Sequence, residues 1–322
     1  MTTIQWTDET WNLIVGCSRI SPGCERCYAA TAAKSARLQQ FPQYQKVKDW
    51  DGTVEFVESQ LLKPLRWKKP KRIFVCSMSD LFHENVPDEW IDKVLAVASL
   101  CPQHTFQILT KRPHRALQYL TRENRFAFID YQAYEILRAG RTPYTREHPV
   151  VSLPLKNCWI GTTVENQAMA NKRIPTLLQI PAAARFLSCE PLLEAIDLSE
   201  WLICPECQGE QLWYEKRTGP RLGVAGRKQC FKCKDKRFYS DLSWAIIGGE
   251  SGPGARPCSI DWIRSAARQC QEAEIPVFVK QLGSNCCVMP GLAFGYSDRK
   301  GGDIAEFPED LKMRQFPNTV IS

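Results

Sequence analysis

The sequence predicts an α/β fold: a TIM-like βα barrel, complete or partial, carrying one inserted zinc-ribbon subdomain. Three observations predict it. Short apolar runs rich in β-branched and aromatic residues recur along the chain, helical segments follow them, and a stretch with metal-ligand cysteine spacing interrupts the series late on. Strands buried on both faces read as continuous apolar runs, the signature of parallel strands covered by helices. A doubly wound open sheet is the competing arrangement.

The first strand is expected at residues 11–15, and a shorter run at 54–57 is a further candidate. The runs at 73–77, 105–110, 158–163, 184–189, 244–248 and 276–280 complete seven or eight βα-like units. Residues 87–100 form a helix that opens on Pro87 with Asp88 and Glu89 in its first turn, and its apolar residues recur at helical spacing. Ser259 caps a helix over 260–270, and the alanine-rich run 28–37 forms another. The long connection 122–156 contains an aromatic-rich helix at 126–137, which either packs against the barrel or forms a lid offering aromatics for base stacking.

In a βα barrel the functional groups follow the strands on one face. The residues in those positions are Ser77 and Asp80, Lys111 and Arg112, Thr162 and Glu165, Glu190, Glu250 and Ser251, then Lys280 and Gln281. The loop after the first strand carries Cys17, Cys24 and Cys27 within eleven residues. Three thiolates on one loop can hold three irons of a four-iron cluster and leave the fourth open to a ligand. A zinc site completed by a distant residue such as Cys76 or His83, or three packed thiols, are the other readings. Cys27 precedes the alanine-rich helix, whose N-terminus favours an anion.

Gly248, Gly249, Glu250, Ser251 and Arg256 belong to a segment with four glycines directly after an apolar strand. Its backbone amides could approach a phosphate, carboxylate or adenosyl group, or the glycines could make a tight turn. The lysine of a nucleotide-binding P-loop and the spacing of a dinucleotide fingerprint are missing. Cys204, Cys207, Cys230 and Cys233 form two Cys-x2-Cys knuckles with 22 residues between them, the ligand set of a closed Zn2+ site. Domain limits follow: barrel over 1–200 and 242–322, zinc ribbon over 201–241. The ribbon carries nine Lys/Arg against five Asp/Glu, but a zinc held by four thiolates is itself net negative. Stabilising a loop and gripping nucleic acid therefore both remain open.

The chain has 322 residues, 44% hydrophobic and 24% charged, without an apolar run of about 18 residues that would make a membrane span. No membrane association is expected. The N-terminus lacks the basic start and apolar stretch of a signal peptide, so a cytoplasmic location is expected, where clustered cysteines signal metals rather than disulfides. A net charge of +7 is compatible with a nucleic-acid or nucleotide partner. The basic run 63–72 is either a phosphate-contacting patch or a solvated face.

Several pieces together resemble a known family: Thr10-Trp-Asn through Gly16-Cys17, Ser21-Pro-Gly-Cys24 with Cys27-Tyr28, Ser77 through His83, Leu109 through Pro113, Gly161 through Glu165, Cys189-Glu-Pro191, and Gly248 through Pro257. It is the phage and prophage family of unknown function marked by an N-terminal three-cysteine motif and regarded as radical S-adenosylmethionine-like. The resemblance implies a barrel in which Cys17, Cys24 and Cys27 hold a 4Fe-4S cluster that binds S-adenosylmethionine and cleaves it reductively with electrons from a reductant protein. It also implies that Glu190 and Glu250 contact the cofactor's amino or ribose groups, and that Lys111, Arg112 and Arg256 meet anionic parts of cofactor or substrate. Glu190, Glu250 and Lys111 are thus the catalytic candidates. The first cysteine gap is six residues, where the commonest motif of such enzymes has three. The expected function is modification or repair of a nucleobase or nucleic acid. The alternative is a non-catalytic, metal-stabilised nucleic-acid-binding or accessory phage protein.

Overall fold

The computed structural model describes residues 4–139, 151–203, 240–289 and 292–317, with the backbone of two strands, Leu212–Lys216 and Val224–Lys228. Seven strands form one curled parallel sheet, a half-barrel: β1 (Glu9–Trp11), β2 (Arg72–Val75), β3 (Thr105–Thr110), β4 (Cys158–Thr163), β5 (Ala184–Cys189), β6 (Trp244–Gly248) and β7 (Val277–Gln281). They are hydrogen-bonded in chain order. A doubly wound sheet reverses its strand order at a switch point, and this one does not, which excludes that arrangement.

Helices α1 (Tyr28–Ala33), α2 (Asp88–Ser99), α3 (Pro113–Leu120), α4 (Arg125–Ala139), α5 (Gln167–Gln179) and α6 (Ile260–Glu272) fall between the strands. Alternate residues of the strands supply two separate cores. Ile73, Val75, Ile108, Ile160, Leu187, Ile247 and Val279 pack with Ile91, Leu95, Leu177 and Ile263 of the helices. On the other face Trp6, Phe74, Trp159, Phe186, Trp244 and Phe278 make an aromatic plug with ring centroids 4.6–6.5 Å apart. The final segment runs antiparallel along β7, where Val279 N donates to Met313 O at 2.9 Å and Gln315 N to Val277 O at 2.9 Å. Arg314 then reaches Gln5 Oε1 at 3.2 Å, which ties this edge to the N-terminal segment.

Three elements depart from expectation. The first predicted strand splits: Glu9–Trp11 joins the sheet, while Ile14–Val15 leaves it and pairs antiparallel with Glu55–Phe56. The cause is Asn12, whose Oδ1 accepts from Ser77 Oγ at 3.0 Å and Met78 N at 3.2 Å and turns the chain out of the ladder. The run at 54–57 is accordingly not a barrel strand. The alanine-rich helix stops at Ala33, because Lys34 caps it and Gln39 Nε2 donates to the Ala33 carbonyl at 2.7 Å. The helix expected at 126–137 is α4, docked on α2 by Arg125, which donates to Asp92 at 3.0 Å and Asp88 at 2.7 Å.

Ser259 caps α6 by accepting from Asp261 N. Leu212–Lys216 and Val224–Lys228 pair antiparallel inside the insertion, whereas Cys204, Cys207, Cys230 and Cys233 lie outside the described residues. Among the described residues no helix is long and apolar enough to cross a membrane.

Candidate functional site: a cysteine loop held by three ion pairs

The cysteine loop begins where Gly16 leaves the Ile14–Val15 strand at φ +93°, a left-handed conformation natural to glycine. A Cβ there would stand 2.1 Å from the Thr53 carbonyl oxygen. Gly16 N donates to Met78 O at 3.0 Å and its carbonyl accepts from Ser79 Oγ at 2.5 Å, so the loop starts fixed to the segment after β2. Pro22–Cys24 then makes a 3-10 turn, and Cys27, extended, precedes α1 without a side-chain cap. Cys24 is buried, and Cys17 and Cys27 are half-buried.

Three ion pairs, each hung from a different strand end, grip this loop. After β3, the buried Arg112 guanidinium pairs with Asp80 at 3.2 Å and Glu84 at 2.7 Å. It also donates to Ser18 Oγ at 2.9 Å and to Cys17 Sγ at 3.6 Å. After β4, the fully buried Glu165 accepts from Arg173 at 2.8 Å and from Gly23 N at 3.1 Å. After β6, Glu250 takes a bidentate contact from Arg256 at 2.6 and 3.0 Å, while Arg256 Nη1 donates to the Pro22 carbonyl at 2.8 Å. Each pair neutralises a charge that could not stand alone away from water. Each spends a remaining hydrogen bond on the loop.

The electrostatics follow from that burial. Desolvation alone would raise Glu165, but Arg173, Ser21, Lys111 and the Gly23 amide outweigh it and hold the carboxyl below its usual range. Glu250 is likewise lowered, desolvation being overcome by the hydrogen bonds and charge of Arg256. Burial, reinforced by Asp80, pushes the Cys17 thiol up to about 12 against the opposing pull of Arg112. A thiolate there would therefore need more compensating positive charge than Arg112 provides. His83 is lowered by desolvation and by Arg112. Its Nδ1 accepts from Asn85 N, which leaves Nε2–H for Ser18 Oγ at 2.8 Å.

The expected strand-end residues divide into two groups. Asp80, Arg112, Glu165, Glu250 and Arg256 meet around the cysteine loop, and Tyr28 Oη adds a bond to Ser77 O at 2.7 Å. Glu190 pairs with Lys280 instead, joining the ends of β5 and β7. Thr162 Oγ1 donates to Thr110 O, and Gln281 Nε2 to Gly249 O. Lys111 donates its backbone amide to Asp80 at 3.0 Å, and its ammonium, which makes no ion pair within 4 Å among the described residues, adds positive potential at Glu165. Gly248 and Gly249 press against the chain after β7: a Cβ on Gly249 would fall 2.3 Å from Leu282 O. Close packing of two loops thus accounts for those two glycines, while Ser251 is exposed.

Sequence reasoning passed over Arg173 and Ser18. Arg173 left a signal, since it occupies the buried face of α5 together with Ala170, Ile174 and Leu177, and a charge on an apolar face implies a buried partner. Ser18 left none, because only the fold brings it to His83 and Arg112.

Cys17, Cys24 and Cys27 are the soft donors available to a metal centre. Among the described residues no three His, Cys, Asp or Glu side chains are arranged to hold a single ion. Residues 1–301 match the model of a family described as a protein of unknown function, DUF5131. The chain belongs to this family. The DUF5131 match takes in all seven strands, the cysteine loop and every member of the three ion pairs, and stops short of the segment that lines β7. No curated protein and no solved structure matches the chain.

Proposed function

We propose that this DUF5131 protein is a radical S-adenosylmethionine-like iron–sulfur enzyme that modifies or repairs a nucleobase or nucleic acid. One observation carries the reading: a three-cysteine loop, clamped by three ion pairs, at the carboxyl ends of parallel strands. The resemblance to the phage and prophage three-cysteine family supports it. Cys17, Cys24 and Cys27 would hold three irons of a 4Fe-4S cluster and leave one iron for S-adenosylmethionine. When bound, that pair supplies reductive cleavage of the adenosyl cofactor, with electrons from a reductant protein.

The chain's own residues would then bind and orient. Arg112 places an N–H on the Cys17 sulfur and Ser21 Oγ lies 3.7 Å from that of Cys24, contacts that stabilise thiolate charge. The Lys111 ammonium is available to a phosphate or carboxylate, and the Glu190–Lys280 pair offers both signs to a polar ligand. The aromatic plug fills the other face of the sheet. Residues 201–241 would be a zinc ribbon holding Zn2+ through Cys204, Cys207, Cys230 and Cys233, a reading supported by the antiparallel strand pair between the knuckles. The eleven described cysteines are free thiols, which suits a reducing cytoplasm.

The test is anaerobic reconstitution of the full chain with iron and sulfide, then reduction in the presence of S-adenosylmethionine. Expected are visible charge-transfer absorption and release of 5′-deoxyadenosine. Cys24→Ala should abolish iron uptake, while Cys207→Ala should lower zinc content and leave the cluster spectrum unchanged. Zinc in both cysteine groups with no cleavage would overturn the reading in favour of a non-catalytic, metal-stabilised accessory protein.

A further inference from the structure

Six of the ten residues 63–72 are Lys or Arg, and no Asp or Glu occurs between Glu58 and Asp80. The fold neutralises two of the six. Lys71 pairs with Glu9 at 3.0 Å and Arg72 with Asp8 at 2.9 Å, which joins the start of β2 to the start of β1. Lys63 and Lys71 both lie over the Trp67 ring, 5.4 and 5.5 Å from its centroid. Arg66, Lys68 and Lys69 are exposed and make no ion pair among the described residues.

The backbone beneath these three cations is pinned at several points. Pro64–Arg66 is a 3-10 turn, closed by Trp67 N donating to Pro64 O at 3.1 Å. Trp11 Nε1 donates to Gln60 O at 2.7 Å, His104 Nε2 to Pro64 O at 3.2 Å and Gln103 Nε2 to Trp67 O at 3.4 Å. Like charges fixed side by side repel one another, and a polyanion relieves that repulsion.

We propose that residues 66–69 are a docking ridge for the sugar–phosphate backbone of a nucleic acid, with Arg66, Lys68 and Lys69 each meeting a phosphate. Contacts of this kind position a polymer without reading its sequence. Stable attachment to an anionic bilayer, the other surface of matching charge, takes an inserted apolar face beside the cations. Leu62 and Leu65, 39% and 38% exposed, give too small a face for that. The ridge stands at the amino end of β2, whereas the cysteine loop is fixed to the segment after its carboxyl end. The four residues of β2 span about 13 Å. A duplex turn is about 34 Å long, so one bound polymer can reach both ends of the strand. The ridge needs neither a cluster nor S-adenosylmethionine.

The test is fluorescence anisotropy of a labelled random-sequence DNA duplex, and of DNA and RNA single strands, titrated with the full chain as purified over a range of salt. Three phosphate contacts contribute a slope of log affinity against log salt of about −2.7 on duplex and about −2.1 on a single strand. The double variant Lys68→Gln, Lys69→Gln should flatten the duplex slope by about 1.8, so that the affinity lost between about 50 and 200 mM salt is about 12-fold less. The double variant Arg299→Gln, Lys300→Gln removes two exposed cations elsewhere and should leave the slope unchanged. Circular dichroism of each variant confirms that the fold is kept. No binding by wild type, a slope unchanged in the first variant, or an equal change in the second would overturn the inference. So would binding to phosphatidylserine vesicles, lost with Lys68 and Lys69, in place of binding to nucleic acid. Because no iron is present, loss of binding here and loss of S-adenosylmethionine cleavage in the reconstituted chain are separate results.

Discussion

Replacing Glu165 by Gln changes one atom and disables one of the three clamps. Glu165 accepts two charge-bearing contacts, from Arg173 at 2.8 Å and from Gly23 N at 3.1 Å, with both side chains of the ion pair almost wholly buried. Glutamine has one acceptor oxygen, so its amide N–H must face either the guanidinium or the Gly23 amide, donor against donor. Removing one partner of a buried ion pair costs about 3–5 kcal/mol, because the other charge stays buried and uncompensated. Urea unfolding of wild type and Glu165→Gln at neutral pH should show a loss in that range. Arg173→Met in the same chain should recover most of it, since the stranded charge is then gone.

The pH dependence has a definite sign. The folded carboxyl is depressed below its ordinary value of 4.5, so its stabilisation is complete above 4.5 and fades as pH falls through the lower folded value. The difference between wild type and Glu165→Gln should therefore shrink in acid. A cost under about 1 kcal/mol, or a double variant no better than the single one, would refute the clamp argument.

Two further outcomes follow from the same loop. Gly16→Ala forces a Cβ to within 2.1 Å of Thr53 O at φ +93°, so it should destabilise by at least about 2 kcal/mol in thermal unfolding, counting strain and clash together. Arg256→Lys cannot hold Glu250 in a bidentate grip and Pro22 O at once. Amide hydrogen exchange at residues 22–27 should rise several-fold in that variant, while exchange in α2 stays unchanged.

Much of the candidate site was legible in the chain. The three cysteines on one loop, and Arg112, Glu165, Glu250 and Arg256 after apolar runs, were recognisable because strand ends carry polar groups only for a reason. Their roles were not legible. Arg256 and Glu250 read as ligand contacts, and the fold adds that they bond to each other while Arg256 reaches Pro22 O and Glu25. Only a three-dimensional neighbour can claim a donor, and Pro22 is 234 positions away.

By itself the sequence determined the parallel βα architecture, because continuous apolar runs alternating with helices bury their surfaces only in a sheet covered by helices. It also placed the caps at Pro87 and Ser259, where local backbone chemistry decides. Tertiary structure decided what local chemistry cannot: that the chain leaves the sheet after Trp11, and that Arg173 completes Glu165. It decided too that the strand order runs without a reversal, and that three ion pairs from three strand ends converge on one loop. Hydrogen bonds and ion pairs between distant residues have no period in the sequence. Their partners are set by which strand lies beside which.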